Sequence, residues 1–413
     1  MCVWGFGCCG PPPHATIKAY DNTTPWALDW YDLKGENVSR ECRVAAWPSA
    51  TPPIAVVSAG PAISGSGSWH HSTLGVHDTS DGSRHEQSSH GAFSKPQYPA
   101  SRTAMPTDNS TAVWVALSNF AQTSFSFTAQ AFDSSLVQQC SVSSSSATGG
   151  GCFPSIGING TDVIVSGSGT LTFAVRRYNT AGTQVASFGF GSLSLTSGRT
   201  LQTAAAYTNG TSVVAWGNEQ ASGTLYRRYW YITVLLGSFV EFTGVTAAAW
   251  ASGAVGALMP QYTDFGRSSR LTSTHLFAQH ASTSIRYACV SLPGMTELWT
   301  MSSSPIDVEV FCAIDASRVY TINKTTNILT ARAVASGTVL WTLDLTGTIV
   351  SSSDTFGKAL SGGYLAIVTP TSPVAIVDPA LGTLITSIDV GGYDIVERDN
   401  RYIVVGPKRT TAT

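Results

Sequence analysis

The sequence predicts an all-β protein, a β-propeller of about seven four-stranded blades. Three observations carry that expectation: a composition suited to strands, a turn-and-strand element that recurs along the chain, and termini that complement each other. Of 413 residues, 43% are hydrophobic and only 12% charged, against about 25% charged in an ordinary globular chain. Ser, Thr, Gly and Ala take the place of the charges. Val, Thr, Tyr, Phe and Trp, which pack well on a pleated surface, are frequent, while runs of Glu, Lys and Leu that would sustain helices are few.

The recurring element is a short polar turn followed by an apolar strand. It reads Asp108-Asn-Ser-Thr-Ala-Val-Trp-Val115, Asn159-Gly-Thr-Asp-Val-Ile-Val165, Asn209-Gly-Thr-Ser-Val-Val-Ala-Trp216, Ser273-Thr-His-Leu-Phe-Ala278, Asp315-Ala-Ser-Arg-Val-Tyr-Thr-Ile322, Ser361-Gly-Gly-Tyr-Leu-Ala-Ile-Val368 and Asp399-Asn-Arg-Tyr-Ile-Val-Val405. Asn-Gly and its relatives supply the positive φ that tight hairpins need, so each copy reads as a hairpin entering a buried strand. The anchors Val113, Val163, Val213, Leu276, Val319, Leu365 and Ile403 recur at steps of roughly 40–60 residues, near the ~40–50 of a propeller blade; the long step from Val213 to Leu276 leaves six or eight blades open beside seven. A second strand, a Gly-containing turn and a third strand follow most copies, as in Leu329–Leu345 and Val374–Val390.

The ends complete the pattern. The chain finishes on a lone strand, Arg401–Val405, and the N-terminal region offers a strand pair between Trp26 and Val44 with no strand before it. One blade shared by both termini would close the ring and remove its free edges.

Two segments, Gly294-Met-Thr-Glu-Leu-Trp299 and Gly337-Thr-Val-Leu-Trp341, resemble the repeat of quinoprotein-type (PQQ-like) propellers. The resemblance implies that each Trp docks on the following blade. Asp32-Leu-Lys-Gly35 and Asp378-Pro-Ala-Leu-Gly382 keep only the Asp-to-Gly turn. The likeness speaks to fold, not activity: the family's calcium site of carboxylates and amides is not assembled here, and no cofactor is expected.

Three regions follow: an apolar Gly/Cys/Pro tail over residues 1–15 with Trp4 and Phe6, the propeller over 16–413, and within it a loop-rich insertion over 48–106 with one expected strand, Ile54–Ser58. The insertion holds His70, His71, His77, His85 and His90 beside Asp78, Asp81 and Glu86. Imidazoles and carboxylates together can hold Zn²⁺ or Ni²⁺, but His85-Glu-Gln-Ser-Ser-His90 is one residue too long for the zincin spacing, and a solvated or interface loop is the expected reading. Gly5-Phe-Gly-Cys-Cys-Gly10 matches a dinucleotide-binding spacing without the flanking strand and helix that would give it meaning. No G-x-S-x-G elbow, Walker loop or C-x-x-C pair occurs. Cys140 and Cys152 flank a Ser/Gly-rich loop that a hairpin would bring together, or serve as small buried hydrophobes like the other cysteines. Tyr226-Arg-Arg-Tyr-Trp-Tyr231 is the densest aromatic and basic run; period two places Tyr226, Arg228 and Trp230 on one face. Packing between blades or a protein or glycan contact both account for it. Six N-x-[ST] sequons, at Asn22, Asn37, Asn109, Asn159, Asn209 and Asn323, read as turn chemistry.

Net charge is −2, which excludes nucleic acid as a main partner, because phosphate binding draws on a surplus of Lys and Arg. The apolar run Tyr229–Val240 is too short to span a bilayer, and the first residues lack a secretory signal, so cytoplasmic synthesis is expected. These features predict a non-enzymatic structural or interaction subunit of a large assembly, contacting other subunits through the tail and the insertion, with a host-surface glycan as a further partner. The low charge and abundant small polar residues resemble bacteriophage virion proteins, which implies a tail hub, nozzle or receptor-binding component located in the virion. The alternative is a cytoplasmic propeller that binds carbohydrate, or a quinoprotein-like enzyme, using its central channel.

Overall fold

A computed structural model describes the strands named below, between Ala15 and Pro407, and the side chains of parts of 130–231 and most of 271–404. Among the described residues the chain is all-β, without a helix, and its strands pair antiparallel throughout. A terminal sheet, sheet 1, contains β1 (Ala15–Asp21) and β2 (Leu28–Asp32) together with two strands from the other end of the chain. Sheet 2 holds β3 (Arg43–Trp47), β4 (Ile54–Ala59), β7 (Thr73–Asp78) and β8 (Arg84–Ser89); a small sheet of β5 (Ala62–Ile63), β6 (Trp69–His70) and β9 (Ala92–Phe93) is interleaved with it. Sheet 3 runs β10 (Ala100–Ala104), β11 (Val113–Ala121), β12 (Ser124–Phe132) and β13 (Gln138–Ser146). Sheet 4 runs β14 (Ser155–Asn159), β15 (Asp162–Ser168), β16 (Phe173–Tyr178) and β17 (Gln184–Gly189). Sheet 5 runs β18 (Thr200–Thr208), β19 (Ser212–Ala221), β20 (Thr224–Leu235) and β21 (Ser238–Gly244), with β22 (Ala249–Trp250) on β20. Sheet 6 has β23 (His275–His280), β24 (Arg286–Ser291) and β25 (Glu297–Ser302). Sheet 7 has β26 (Glu309–Ile314), β27 (Arg318–Asn323), β28 (Ile328–Ala333) and β29 (Val339–Asp344). Sheet 8 has β30 (Phe356–Ala359), β31 (Leu365–Val368), β32 (Val374–Asp378) and β33 (Thr383–Ile388). The chain ends in β34 (Asp394–Arg398) and β35 (Arg401–Pro407), and sheet 1 has the order β2-β1-β35-β34.

Consecutive sheets pack face to face, and the core lies between them. Tyr229 and Val214 of sheet 5 meet Leu276, Ala288 and Val290 of sheet 6. Phe277, Tyr287 and Cys289 of sheet 6 meet Phe311 and Val319 of sheet 7, where the Phe277 ring stacks on both Tyr287 and Phe311. Tyr320 and Leu329 of sheet 7 meet Leu365 and Val377 of sheet 8. Ala366 and Ile376 of sheet 8 meet Ile395, Tyr402 and Val404 of sheet 1. β34 lies against β3, β3 against β10, β10 against β14, and β14 and β15 against β18. Strands buried on both faces read as unbroken apolar runs, such as Leu365-Ala-Ile-Val368, whereas outer strands alternate. A succession of antiparallel four-stranded meanders stacked this way is propeller architecture.

The recurring turn keeps one phase. Six copies lie at the hairpin between the first and second strands of a sheet, from β10–β11 to β34–β35. The seventh, at Ser273, precedes β23, where a bridge from Leu271 to Leu276 stands in for a first strand. Sheet 2 has no such copy. It occupies much of the stretch 48–106 expected to be loop-rich, which carries β4 to β10 instead of one strand. Between its first two strands, Trp47 and Ile54 are separated by Pro48-Ser-Ala-Thr-Pro-Pro53, a sequence without the Asn-Gly signature, so the repeat is not legible there. The strand pair that the N-terminus gives to sheet 1 is β1–β2, one strand earlier than expected; β3 belongs to sheet 2. The apolar run Tyr229–Val240 lies in β20 and β21.

Candidate interaction surface

A shared backbone irregularity organises the outer edge of the molecule. In seven sheets the last strand carries one extra residue near its start. The bulged residues are Asp29, His85, Gln139, Val185, Leu298, Leu340 and Ile385, read from the skipped register positions. A bulge bends its strand and re-aims the following side chain. The residue after the bulge is Trp30, Glu86, Cys140, Ala186, Trp299, Trp341 or Thr386 in turn.

At three of these positions, Cys140, Trp299 and Trp341, that residue docks on the next sheet. Trp299 donates its indole N–H to the Val334 carbonyl at 2.6 Å, and Trp341 donates to the Pro379 carbonyl at 3.1 Å. Each ring covers a glycine in the outer turn of the neighbouring sheet. A β-carbon at Gly337 would sit 2.7 Å from Trp299 Cδ2, and one at Gly382 would sit 2.5 Å from Trp341 Cδ2. Both glycines also have positive φ, +72° and +69°, as the turns require. The Asp378 carboxylate holds its turn by accepting the amides of Ala380 and Leu381, at 2.7 and 3.1 Å. The docking implied by the quinoprotein-type resemblance is therefore present at both tryptophans. Sequence reasoning missed a third instance: Cys140 occupies the same position and faces Gly182, whose β-carbon would lie 3.3 Å from Cys140 Cβ. Only the register reveals it, because a cysteine leaves no Trp signature. Cys152 lies outside the described residues.

The same geometry leaves large apolar side chains in water. Val339, Leu340, Leu381, Leu384 and Ile385 are exposed by 50%, 51%, 70%, 37% and 43%. Leu340 and Ile385 are the bulged residues of β29 and β33. Docking of Trp341 on Gly382 sets the turn bearing Leu381 against β29, so these side chains form one rim across the outer strands of sheets 7 and 8. Leu298, the bulged residue of β25, is also exposed. Outer strands normally carry charge at such positions to discourage pairing with other chains, and grouped exposed apolar side chains mark contact surfaces.

The residues singled out from the sequence fall elsewhere. Trp230 is fully buried, which corrects its expected role as a surface contact; it belongs to the sheet packing that the aromatic run also suggested. Arg228 stands opposite Gly217 in the β19–β20 register. Tyr226 is half-buried under a guanidinium, but the arginine is Arg199, 3.6 Å from the ring centroid, rather than a member of its own run. Arg199 also pairs at 3.4 Å with Glu219, which is fully buried. His70 lies in the small sheet, opposite Ala62 and Ala92, whereas His77 and His85 are in β7 and β8 of sheet 2. His71, His90, Trp4 and Phe6 lie outside the described residues. Among the sequons, Asn323 shows turn chemistry, its side-chain oxygen accepting the amides of Thr325 and Thr326 at 2.9 and 3.0 Å.

No family model and no curated protein matches the chain. Among solved structures it is similar to AztD of Citrobacter koseri, at 11% identity and a TM-score of 0.49, covering 97% of this chain and 100% of that one. It is also similar to BamB from Moraxella catarrhalis, at 14% identity, a TM-score of 0.45 and coverage of 88% and 96%. The WD40 β-propeller domain of Doa1 aligns at 12% identity, a TM-score of 0.39 and coverage of 75% and 93%.

Proposed function

We propose that the chain is a non-enzymatic structural or interaction subunit of a larger protein assembly, built on eight propeller blades closed by the sheet that both termini share. Closure is supported by the continuous β1–β35 register from Ala15–Pro407 to Asp21–Arg401 and by the packing of that sheet on both sheet 2 and sheet 8. The observation that carries the functional reading is the apolar rim of Val339, Leu340, Leu381, Leu384 and Ile385. Such side chains gain about 1.5–3 kcal/mol each when fully buried, so a rim of this kind favours a protein partner over water. The low charge of the chain, 12%, lowers the desolvation cost of that contact. The specific form of the proposal is a virion subunit of the tail-hub or attachment type, which the composition suggests.

The test is native mass spectrometry and size exclusion of the purified chain over a range of concentrations. The expected result is a discrete oligomer that dissociates on dilution. A chain that stays monomeric and saturably binds Ca²⁺, a quinone or a glycan would overturn the proposal in favour of a channel-binding propeller.

A further inference from the structure

Two polar side chains of sheet 7 face sheet 6 with no protein group to bond. Glu309 Oε2 and Thr321 Oγ1 are both buried, and neither has a hydrogen-bond partner among the described residues. Thr321 is fully buried and Glu309 half-buried. A carboxylate or hydroxyl oxygen taken out of water without a partner loses its hydration for nothing in return. Folded interiors meet such atoms with protein groups or with ordered water, and a buried water serves a site where several polar atoms converge.

The strand register brings the two atoms to one place. Phe311 of β26 stands opposite Thr321 of β27, and Glu309 lies two residues before Phe311. Residues at that spacing point to the same side of a strand. That side faces sheet 6, where Phe311 stacks on Phe277, whereas Tyr320 and Ile322 on the other side pack with sheet 8. Glu309 and Thr321 are therefore diagonal neighbours across an antiparallel pair, about 7–8 Å apart along the backbone. No direct bond joins them, and one water spans oxygens about 4.5–5.5 Å apart with two bonds of ordinary length. Nearby groups are committed elsewhere. Asn323, directly opposite Glu309, turns its side-chain oxygen to the amides of Thr325 and Thr326. The Tyr287 phenol reaches over from sheet 6 and donates to the Glu309 carbonyl at 2.9 Å, not to its carboxylate. We propose that one ordered water is held between sheets 6 and 7, donating to Glu309 Oε2 and accepting the proton of Thr321 Oγ1. Water fits this place better than a cation. A calcium-type ion takes about six to eight oxygens, and beside these two side chains the face offers the rings of Phe277 and Phe311.

The experiment is a double-substitution cycle in urea on the full chain, joined to its crystal structure. Thr321→Val and Glu309→Met each remove one anchor at nearly constant shape. Each alone should lower the folded-to-unfolded ratio about five- to thirtyfold, because the water and the other anchor are left half-bonded. The double variant leaves no orphan to serve, so it should be at least about threefold more stable than the product of the two single effects. Thr321→Ser keeps the hydroxyl and should couple to Glu309→Met as the parent residue does. The crystal structure should show one density peak within hydrogen-bond distance of both oxygens in the parent, and none in the double variant. Single effects that simply multiply would overturn the shared site. A direct bond between the two side chains would overturn it too, as would a peak ringed by about six or more oxygens at about 2.3–2.6 Å, which would make the ligand a cation. Where Glu309→Met fails to fold, the parent crystal structure decides alone.

Discussion

At the scale of single residues, Asp315 shows how a turn that the sequence marks with one polar residue becomes a pH-sensitive fastening. Its carboxylate accepts the amides of Ser317 and Arg318, both at 2.7 Å, and the phenol of Tyr320. Burial pushes its pKa up, but these hydrogen bonds outweigh burial and hold it below the usual carboxylate value. Tyr320 is shifted the other way, first by burial and then by the adjacent carboxylate. The signs give two edges. A depressed folded pKa means that the contribution of Asp315 is present above its unfolded value, about 3.9, and fades as pH falls through the folded one. A raised folded pKa means that the contribution of Tyr320 is present below about pH 10 and fades as pH rises. Urea midpoints should therefore fall on the acid side, and Asp315→Asn should flatten that acid limb while lowering the plateau at neutral pH. An unchanged acid limb would assign the transition to other carboxylates. The turn itself was legible: Asp315-Ala-Ser-Arg was recognised as a hairpin from residue type alone. The phenol contact was not, because it depends on the strand that follows the turn.

At the scale of elements, three pairs of neighbouring sheets share one device with different residues: a side chain after the bulge, seated on a glycine in the next outer turn. The two tryptophan copies were legible because a Gly precedes each Trp by a few residues, in Gly294-Met-Thr-Glu-Leu-Trp299 and Gly337-Thr-Val-Leu-Trp341; the Cys140–Gly182 copy was not, because position without chemistry leaves no trace in one sequence. The exposed rim was not legible either, since Leu340 and Ile385 lie in strands whose alternation would have buried or exposed them differently without the bulge. The geometry sets an order of sensitivity. Gly382→Ala and Gly337→Ala each add a methyl group that would fall 2.5 and 2.7 Å from a tryptophan ring, at positive φ, and should cost about 2–4 kcal/mol. Gly182→Ala meets Val142 at 3.2 Å and Cys140 at 3.3 Å and should cost less, about 1–2 kcal/mol. Denaturant unfolding of the three variants checks the order. Equal losses would show that backbone strain alone, and not the docked ring, decides the effect.

At the scale of the whole molecule, the shared terminal sheet was legible from the lone strand at the C-terminus, and the number of sheets was not. Seven turns are legible because Asn-Gly and its relatives announce themselves; the first two strands of sheet 2 are joined by a stretch of Pro, Ser, Ala and Thr, which carries no such signature and reads as an insertion. The two halves of the terminal sheet make unequal demands. Tyr402, Ile403 and Val404 of β35 are fully buried, and β1, the first described strand, pairs with β35 along its whole length from Ala15 to Asp21. Deleting residues 1–14 should leave the far-ultraviolet circular dichroism and the thermal midpoint unchanged and abolish association. Deleting residues 1–32 removes β1 and β2 as well, strips β35 of its outer neighbour and leaves an apolar edge open to other chains. In a closed ring that loss is felt on both sides, because the terminal sheet packs on sheet 2 and on sheet 8. The longer deletion should therefore aggregate, and its unfolding should lose the single cooperative transition expected of a closed propeller. If the longer deletion instead unfolds in one step with a small decrease in midpoint, β1 and β2 are an ornament on an open stack, and the closed ring has to be abandoned.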